Sequence, residues 1–276
     1  MLTLSSTLAD KYFQLQEILR GIGRVVIGFS GGVDSTLLLR VALDTLGTEQ
    51  VLALIGDSDS YPTRELHEAK ALADELGAHY RVIQSKELED ERYAANPSNR
   101  CYYCKSDLFS RCVAIAREQD FNAVLDGNNA DDVGDWRPGQ QAARELGVRS
   151  PLMEIDMSKA EIRELSHALG LRTWDKPAFA CLASRIPYGT AITREKLSAV
   201  EEAENYLRDQ GFAQVRVRHH GEVARIEVAP ALINQLLDGN LRERIVSHLR
   251  ELGFRYVTLD LQGYRMGSMN EVLTGS

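Results

Sequence analysis

Arg24-Val-Val-Ile-Gly-Phe-Ser-Gly-Gly-Val-Asp-Ser-Thr36 runs from a short β-branched stretch through a glycine turn into apolar sequence. Arg24 to Phe29 reads as a buried strand, and Ser35-Thr-Leu-Leu-Leu-Arg-Val-Ala-Leu43 as the helix that follows it. Glycines at 31 and 32 let backbone N–H groups approach an anion, and the N-terminus of the following helix adds a favourable dipole. Position alone makes this an anion-binding turn. It carries no Gly-Lys-Ser/Thr, so it does not hold β and γ phosphates in the manner of phosphoryl-transfer loops.

Outward from this turn, strand and helix alternate. Upstream, Leu15, Ile18, Leu19 and Ile22 have helical spacing; downstream come a strand at 51–55, a helix at 63–76 stopped by Gly77, a strand at 80–83, a helix at 105–118 and a strand at 123–126. This order predicts an α/β fold with a doubly wound, mostly parallel sheet, whose ligand sits beyond the carboxyl ends of the strands. The second glycine turn, Asp126-Gly127-Asn128-Asn129-Ala130-Asp131-Asp132, also falls at a strand end. Ser158 caps a helix predicted to 169, and a long loop spans 174–189. The rhythm then changes to helix 195–209, strands 214–219 and 223–228, helix 231–251 and strand 254–261. The expected organisation is a nucleotide domain over 1–190 and a smaller α+β domain over 191–276.

The chain has 276 residues and a formal net charge of −8, which disfavours an extended nucleic-acid surface. No apolar run approaches the roughly 18 residues of a membrane helix, and the first residues form no signal leader. The expectation is a cytoplasmic protein with a small-molecule substrate and no membrane or nucleic-acid partner.

Cysteine usage needs a chemical explanation. Cys101-Tyr-Tyr-Cys104 has a spacing used for metals and redox chemistry, Cys181 lies in the long loop, and Cys112 fits an apolar helix pattern as a small core residue. Three readings stay open: a structural zinc, for which His219 and His220 give no finger spacing; a thiol relay with a persulfide on Cys181; and a [4Fe-4S] cluster held by Cys101, Cys104 and Cys181.

Ser30-Gly31-Gly32-Val33-Asp34-Ser35 resembles the pyrophosphatase loop, or PP-loop, whose enzymes split ATP between its α and β phosphates. Together with Asp126 to Asp132, Trp136-Arg-Pro-Gly139, Cys181-Leu-Ala-Ser-Arg-Ile-Pro-Tyr-Gly189, Val215-Arg-Val-Arg218 and Gly263-Tyr-Arg-Met-Gly267, it resembles the LarE family of sulfur transferases along essentially the whole chain. That resemblance implies ATP-dependent adenylation of the carboxylates of pyridinium-3,5-biscarboxylic acid mononucleotide. Conversion to thiocarboxylates for the nickel-pincer cofactor of lactate racemase follows.

It further implies that Ser30, Gly31, Gly32, Ser35 and Thr36 hold pyrophosphate, that Asp34 positions Mg2+, and that Gly127 lines the nucleotide. Ser184, Arg185, Arg216, Arg218 and Arg265 fall in the matching motifs and are the expected anchors for the anionic substrate. Arg216 and Arg218 also alternate on a strand and share one face. Some family members sacrifice a single cysteine's sulfur and others use a three-cysteine cluster, and the cysteines here resemble the second kind. Sacrificial transfer from Cys181 is the alternative. The resemblance also implies a homo-oligomer, a hexamer among the forms it allows, and leaves room for a transient sulfur donor. Competing functions are a tRNA thiolase of the same loop class, an amide-forming synthetase such as those making NAD or GMP, and a nucleotide-binding regulator.

Overall fold

In a computed structural model the chain is described over residues 4–132, 138–177 and 180–265. It divides into two compact units, one of Met1–Glu87 with Asn99–Phe179 and the other of Leu88–Ser98 with Ala180–Ser276. Trp136, Arg137, Met266 and Gly267 of the quoted motifs lie outside the described residues.

The first unit begins with helix α1 (Ser6–Ile22), strand β1 (Val25–Gly28), helix α2 (Val33–Leu46), strand β2 (Val51–Asp57), helix α3 (Thr63–Glu75) and strand β3 (His79–Gln84). The chain then contributes Leu88–Ser98, with the short helix α4 (Glu91–Ala94), to the second unit. It returns as α5 (Arg100–Glu118), β4 (Ala123–Leu125), α6 (Pro138–Glu145), α7 (Pro151–Glu154) and α8 (Lys159–Ala168).

The sheet has the order β3-β2-β1-β4, all parallel, with Val25 paired to both Val51 and Ala123. Alternation along β1 sends Val25 and Ile27 into the core beside Leu15, Leu37 and Leu38, and Val26 into a second core beside Phe109, Cys112 and Val124. Each such aliphatic side chain contributes about 1.5–3 kcal/mol by leaving water. After β3 the chain crosses back to place β4 on the other side of β1. The strand order therefore reverses between β1 and β4, and the turns leaving these two strands face the crevice so formed.

The second unit contains α9 (Arg194–Asp209), β5 (Val215–His220), β6 (Val223–Val228), α10 (Ile233–Leu236), α11 (Gly239–Glu251) and β7 (Tyr256–Leu259). β5 and β6 are antiparallel, and β7 adds to β6 in parallel. Val215, Val217, Ala224, Ile226 and Val228 face a core with Ala203, Leu207, Ile245 and Leu249, leaving the alternate residues on the other face.

Two expected elements differ. The helix expected over 231–251 is broken, α10 ending at Leu236 and α11 starting at Gly239, because the turn at Leu237 and Asp238 interrupts it. The helix expected from Lys105 begins at Arg100, which takes Cys101 and Cys104 into its first turn. Among the described residues no helix is long and apolar enough to cross a membrane.

Candidate active site

Gly31 has φ +63°, a conformation that side chains rarely adopt, and a Cβ there would lie 3.0 Å from the backbone of Ala69 on α3. That glycine turns the chain so that α2 starts at once. Gly32 caps α2 without a side-chain bond, leaving the first-turn N–H groups to the crevice. Ser30 and Ser35 hydroxyls lie 3.1 Å apart, and the Ser30 N–H donates to Ser35 Oγ at 3.3 Å. Thr36 Oγ1 is buried with no hydrogen-bond partner.

The turn after β4 meets this one backbone to backbone. A Cβ on Gly127 would sit 2.9 Å from the Ser35 nitrogen, so only glycine allows the approach. Behind it, Asp126 accepts from Ser150 Oγ at 2.6 Å and from Asn128; burial pushes its carboxyl above the usual value despite these bonds. Ser30 to Thr36 and Gly127 are thus brought together by the approach of the two turns.

Several partners of the loop have no counterpart in the sequence reading. Lys159 donates to both oxygens of Asp34 at 2.8 and 2.6 Å, and Asn129 Nδ2 donates to Asp34 Oδ1 at 3.2 Å. Lys176 donates to the Gly31 carbonyl at 3.2 Å while paired with Glu65 and Glu68, and Tyr61 Oη donates to the Ser30 carbonyl at 2.8 Å. Lys159 did leave a signal. It is the first residue of α8, directly after the capping box of Ser158 and Glu161, where the helix dipole disfavours a cation. A lysine at that position needs a local anion, and Asp34 supplies it.

Cys101 and Cys104 lie three residues apart in the first turn of α5, hence on one helix face; Cys101 is exposed and Cys104 half-buried. Gly139 of α6 packs on this turn, its position for a Cβ 2.9 Å from Lys105 Cγ and 3.5 Å from the Cys101 carbonyl. The pair suits two neighbouring thiolate ligands. Among the described residues, however, no group of three or more His, Cys, Asp or Glu side chains forms a metal site. Cys112 is buried in the core, which pushes its thiol up to about 12 and makes it inert.

In the second unit Cys181 precedes a 3-10 turn, Leu182–Arg185. Arg185 is fully buried and commits its donors to Glu204 at 2.8 and 3.0 Å, to the carbonyls of Ala180 and Cys181, and to Ser184 Oγ. Arg218, also buried, grips Glu227 at 2.9 and 2.7 Å and donates to the Ser184 carbonyl. The two guanidiniums expected to meet substrate anions are therefore carboxylate-bound.

Arg216 differs from both. It lies 5.2 Å over the Tyr264 ring and donates to the Val215 carbonyl, with no ion-paired carboxylate among the described residues. Burial and the neighbouring Arg185 pull its pKa below the ordinary value. Arg216 is half-buried, and Glu204 is the nearby carboxylate that partly offsets these effects. Arg265 follows Tyr264 at the end of the described residues.

Comparison with known proteins places this geometry in context. Residues 12–105 match the family described as NAD synthase. An NH(3)-dependent NAD(+) synthetase of Chlorobaculum tepidum is 36% identical over 49% of this chain and 57% of its own length. An uncharacterized protein of Synechocystis sp. is 46% identical over 97% of this chain and 99% of its own length. The pyridinium-3,5-bisthiocarboxylic acid mononucleotide synthase of Lactiplantibacillus plantarum is 44% identical over 98% of this chain and 97% of its own length.

The chain belongs to this synthase family, LarE.

As a LarE-family protein it is an enzyme of the ATP-using PP-loop class. The partial match to NAD synthase covers β1, the glycine turn and α2 but stops at Lys105, before the turn after β4 and before Cys181. The match thus takes in β1, β2 and β3 of the four-stranded sheet and leaves out β4. Of the second unit only Leu88–Ser98 falls within that match, and the Arg185–Glu204 and Arg218–Glu227 pairs lie beyond it.

Proposed function

We propose that this enzyme converts the carboxylates of pyridinium-3,5-biscarboxylic acid mononucleotide into thiocarboxylates in two steps, adenylation and sulfur transfer. A carboxylate is a poor electrophile. Attack of its oxygen on the α phosphorus of ATP breaks the bond to the bridging oxygen, releases pyrophosphate and leaves an acyl-adenylate with AMP as a good leaving group. Sulfur then attacks the acyl carbon and AMP departs.

In this reading the N–H groups at the start of α2, with Ser30, Gly31, Gly32, Ser35, Thr36 and Gly127, hold the pyrophosphate portion of ATP. The single observation that carries it is the backbone approach of Gly127 to Ser35, which joins the two turns where the strand order reverses. Asp34 is the carboxylate in reach for Mg2+, whose charge offsets that of the leaving pyrophosphate. Lys159 is the charge partner that holds Asp34 in place. Arg216, stacked on Tyr264, is the candidate anchor for the mononucleotide phosphate, with Ser184 and Arg265 beside it in sequence motif. The division of labour we infer gives residues 1–190 the nucleotide chemistry and 191–276 substrate binding and subunit contact in a homo-oligomer.

For the sulfur source we propose Cys101, Cys104 and Cys181 as ligands of a [4Fe-4S] cluster. Such a cluster supplies an open iron able to carry an additional sulfide. The helical Cys101–Cys104 pair supports it, and Cys181 as a sacrificial or persulfide-bearing thiol is the alternative.

The test is incubation with ATP, Mg2+ and the biscarboxylate mononucleotide, reading pyrophosphate and thiocarboxylate together. Pyrophosphate released in step with thiocarboxylate supports the proposal, and cleavage of ATP to ADP, or no product, overturns it. Iron and acid-labile sulfide in protein purified without oxygen, beside a Cys181→Ala variant, test the cluster. About four irons per chain, lost in the variant, support it, and none overturns it.

A further inference from the structure

We propose that Glu204 and Glu227 are positioning residues for Cys181, acting through the buried guanidiniums of Arg185 and Arg218. The inference rests on the reading of Cys181 as a sulfur-handling residue. Its observations are all within the second unit.

The carbonyl of Cys181 accepts from three donors: Arg185 Nη1 at 2.9 Å, the Ser184 N–H at 3.0 Å and Ser184 Oγ at 2.8 Å. The same Nη1 holds the carbonyl of Ala180 at 2.6 Å. Arg218 Nη1 holds the carbonyl at the other end of the turn, that of Ser184, at 3.1 Å. Fixing the peptide planes on both sides of a residue fixes the direction of its Cα–Cβ bond, which confines the sulfur to the few staggered positions about that bond.

A guanidinium could swing away from these carbonyls, and the glutamates prevent it. Glu204, with no exposed surface, takes Arg185 in a fork, binds Arg208 at 2.8 Å and accepts the Val217 N–H at 3.0 Å from the edge strand β5. Glu227 takes Arg218 in the same fork and Arg225 at 3.1 Å. Paired, planar forks of this kind give geometric specificity that a lysine contact would not. A core needing stability alone would be served as well by apolar residues in the place of a buried pair. The retained charges have a geometric task, which is to aim the turn that carries Cys181.

The deciding variant is Arg185→Met/Glu204→Met in the full chain, which removes the fork and leaves no buried charge from either partner. Three quantities are read: thermal unfolding, the rate at which iodoacetamide alkylates Cys181 relative to Cys101 in the same molecule, and thiocarboxylate formed per pyrophosphate released. The expected result is a folded, cooperatively unfolding variant, Cys181 alkylation several times faster, and thiocarboxylate formed per pyrophosphate released about a hundredfold lower, the scale of a misplacement of about 1 Å at a reacting centre. Parent-like alkylation and parent-like yield in the folded variant overturn the proposal. If the double variant does not fold, Glu204→Gln, of the same shape, gives the same readouts with the same expected and overturning results. A parent protein that forms no thiocarboxylate, while alkylation still rises in the variant, defeats the functional reading and leaves the positioning role standing.

Discussion

The glycine turn of the first unit and the Cys181 turn of the second solve one problem with opposite materials. At Ser30 to Ser35 the backbone itself is the proposed binding surface: Gly31 bends it, Gly127 approaches it, and the N-terminus of α2 supplies the positive end of a dipole. At Ala180 to Arg185 the backbone is the object held, and buried arginines locked by glutamates do the holding. A backbone site depends on what is missing, the Cβ atoms. A charge-clamped site depends on what is paired.

The largest effect expected from breaking this contrast is on the clamp. Glu227→Ala removes the carboxylate that Arg218 grips in a buried fork, while Arg225 keeps Asp260, and costs roughly 3–5 kcal/mol of stability in the second unit. Denaturant unfolding with hydrogen exchange resolved by peptide locates the loss, which should spare β1 and α2. Next, Gly127→Ala pushes a methyl against the Ser35 nitrogen and lowers ATP-dependent pyrophosphate release about a hundredfold, roughly 3 kcal/mol, with little change in melting temperature. Calorimetric titration with ATP checks it, and unchanged binding would show that the two turns can part freely.

Smaller still is a difference in pH response. Asp126 has a raised folded pKa because of burial, so the first unit loses stability as pH rises from about 4 through that folded value. Glu204 is pushed up by burial, but Arg185 and Arg208 outweigh this and hold it below the carboxylate range. Its contribution is therefore complete above its unfolded value of about 4.3 and is lost as pH falls through the depressed one. Peptide-resolved exchange should show the first unit losing stability as pH rises above about 4 and the second losing stability as pH falls below about 4.3, and Asp126→Asn should remove the dependence of the first. The mildest change is Ser158→Ala, which removes the capping box of α8 and costs about 1 kcal/mol by thermal unfolding.

Sequence legibility follows the same contrast. The parallel sheet could be read because Val25 to Phe29 and the glycine turn are contiguous, and local residue types dictate both. The second glycine turn was legible for the same reason. Lys159 and Lys176 act on the first turn from distant positions, and only the misplaced cation at the start of α8 betrayed one of them. Glu204 could be suspected only as an acid within the apolar stripe of Leu197, Val200, Ala203 and Leu207. Arg185 and Arg218 were legible as cations in notable motifs, but their carboxylate partners are set by tertiary pairing. The Cys-x-x-Cys spacing did not reveal that both residues are helical, since a helix can begin five residues sooner without changing its apolar pattern.

The loan of Leu88–Ser98 to the second unit has a consequence for synthesis on the ribosome. Asn96, fully buried in a left-handed conformation, donates its side-chain amide to the carbonyls of Ile186, Pro187 and Thr190, and its own carbonyl accepts the Gly189 N–H. When Asn96 leaves the exit tunnel, none of these partners has yet been translated. The nascent chain must carry a polar segment whose partners arrive some ninety residues later, so the later unit cannot mature as an autonomous tail. A gene cut at the boundary near Ala180 would yield a fragment lacking the amide that ties its first loop.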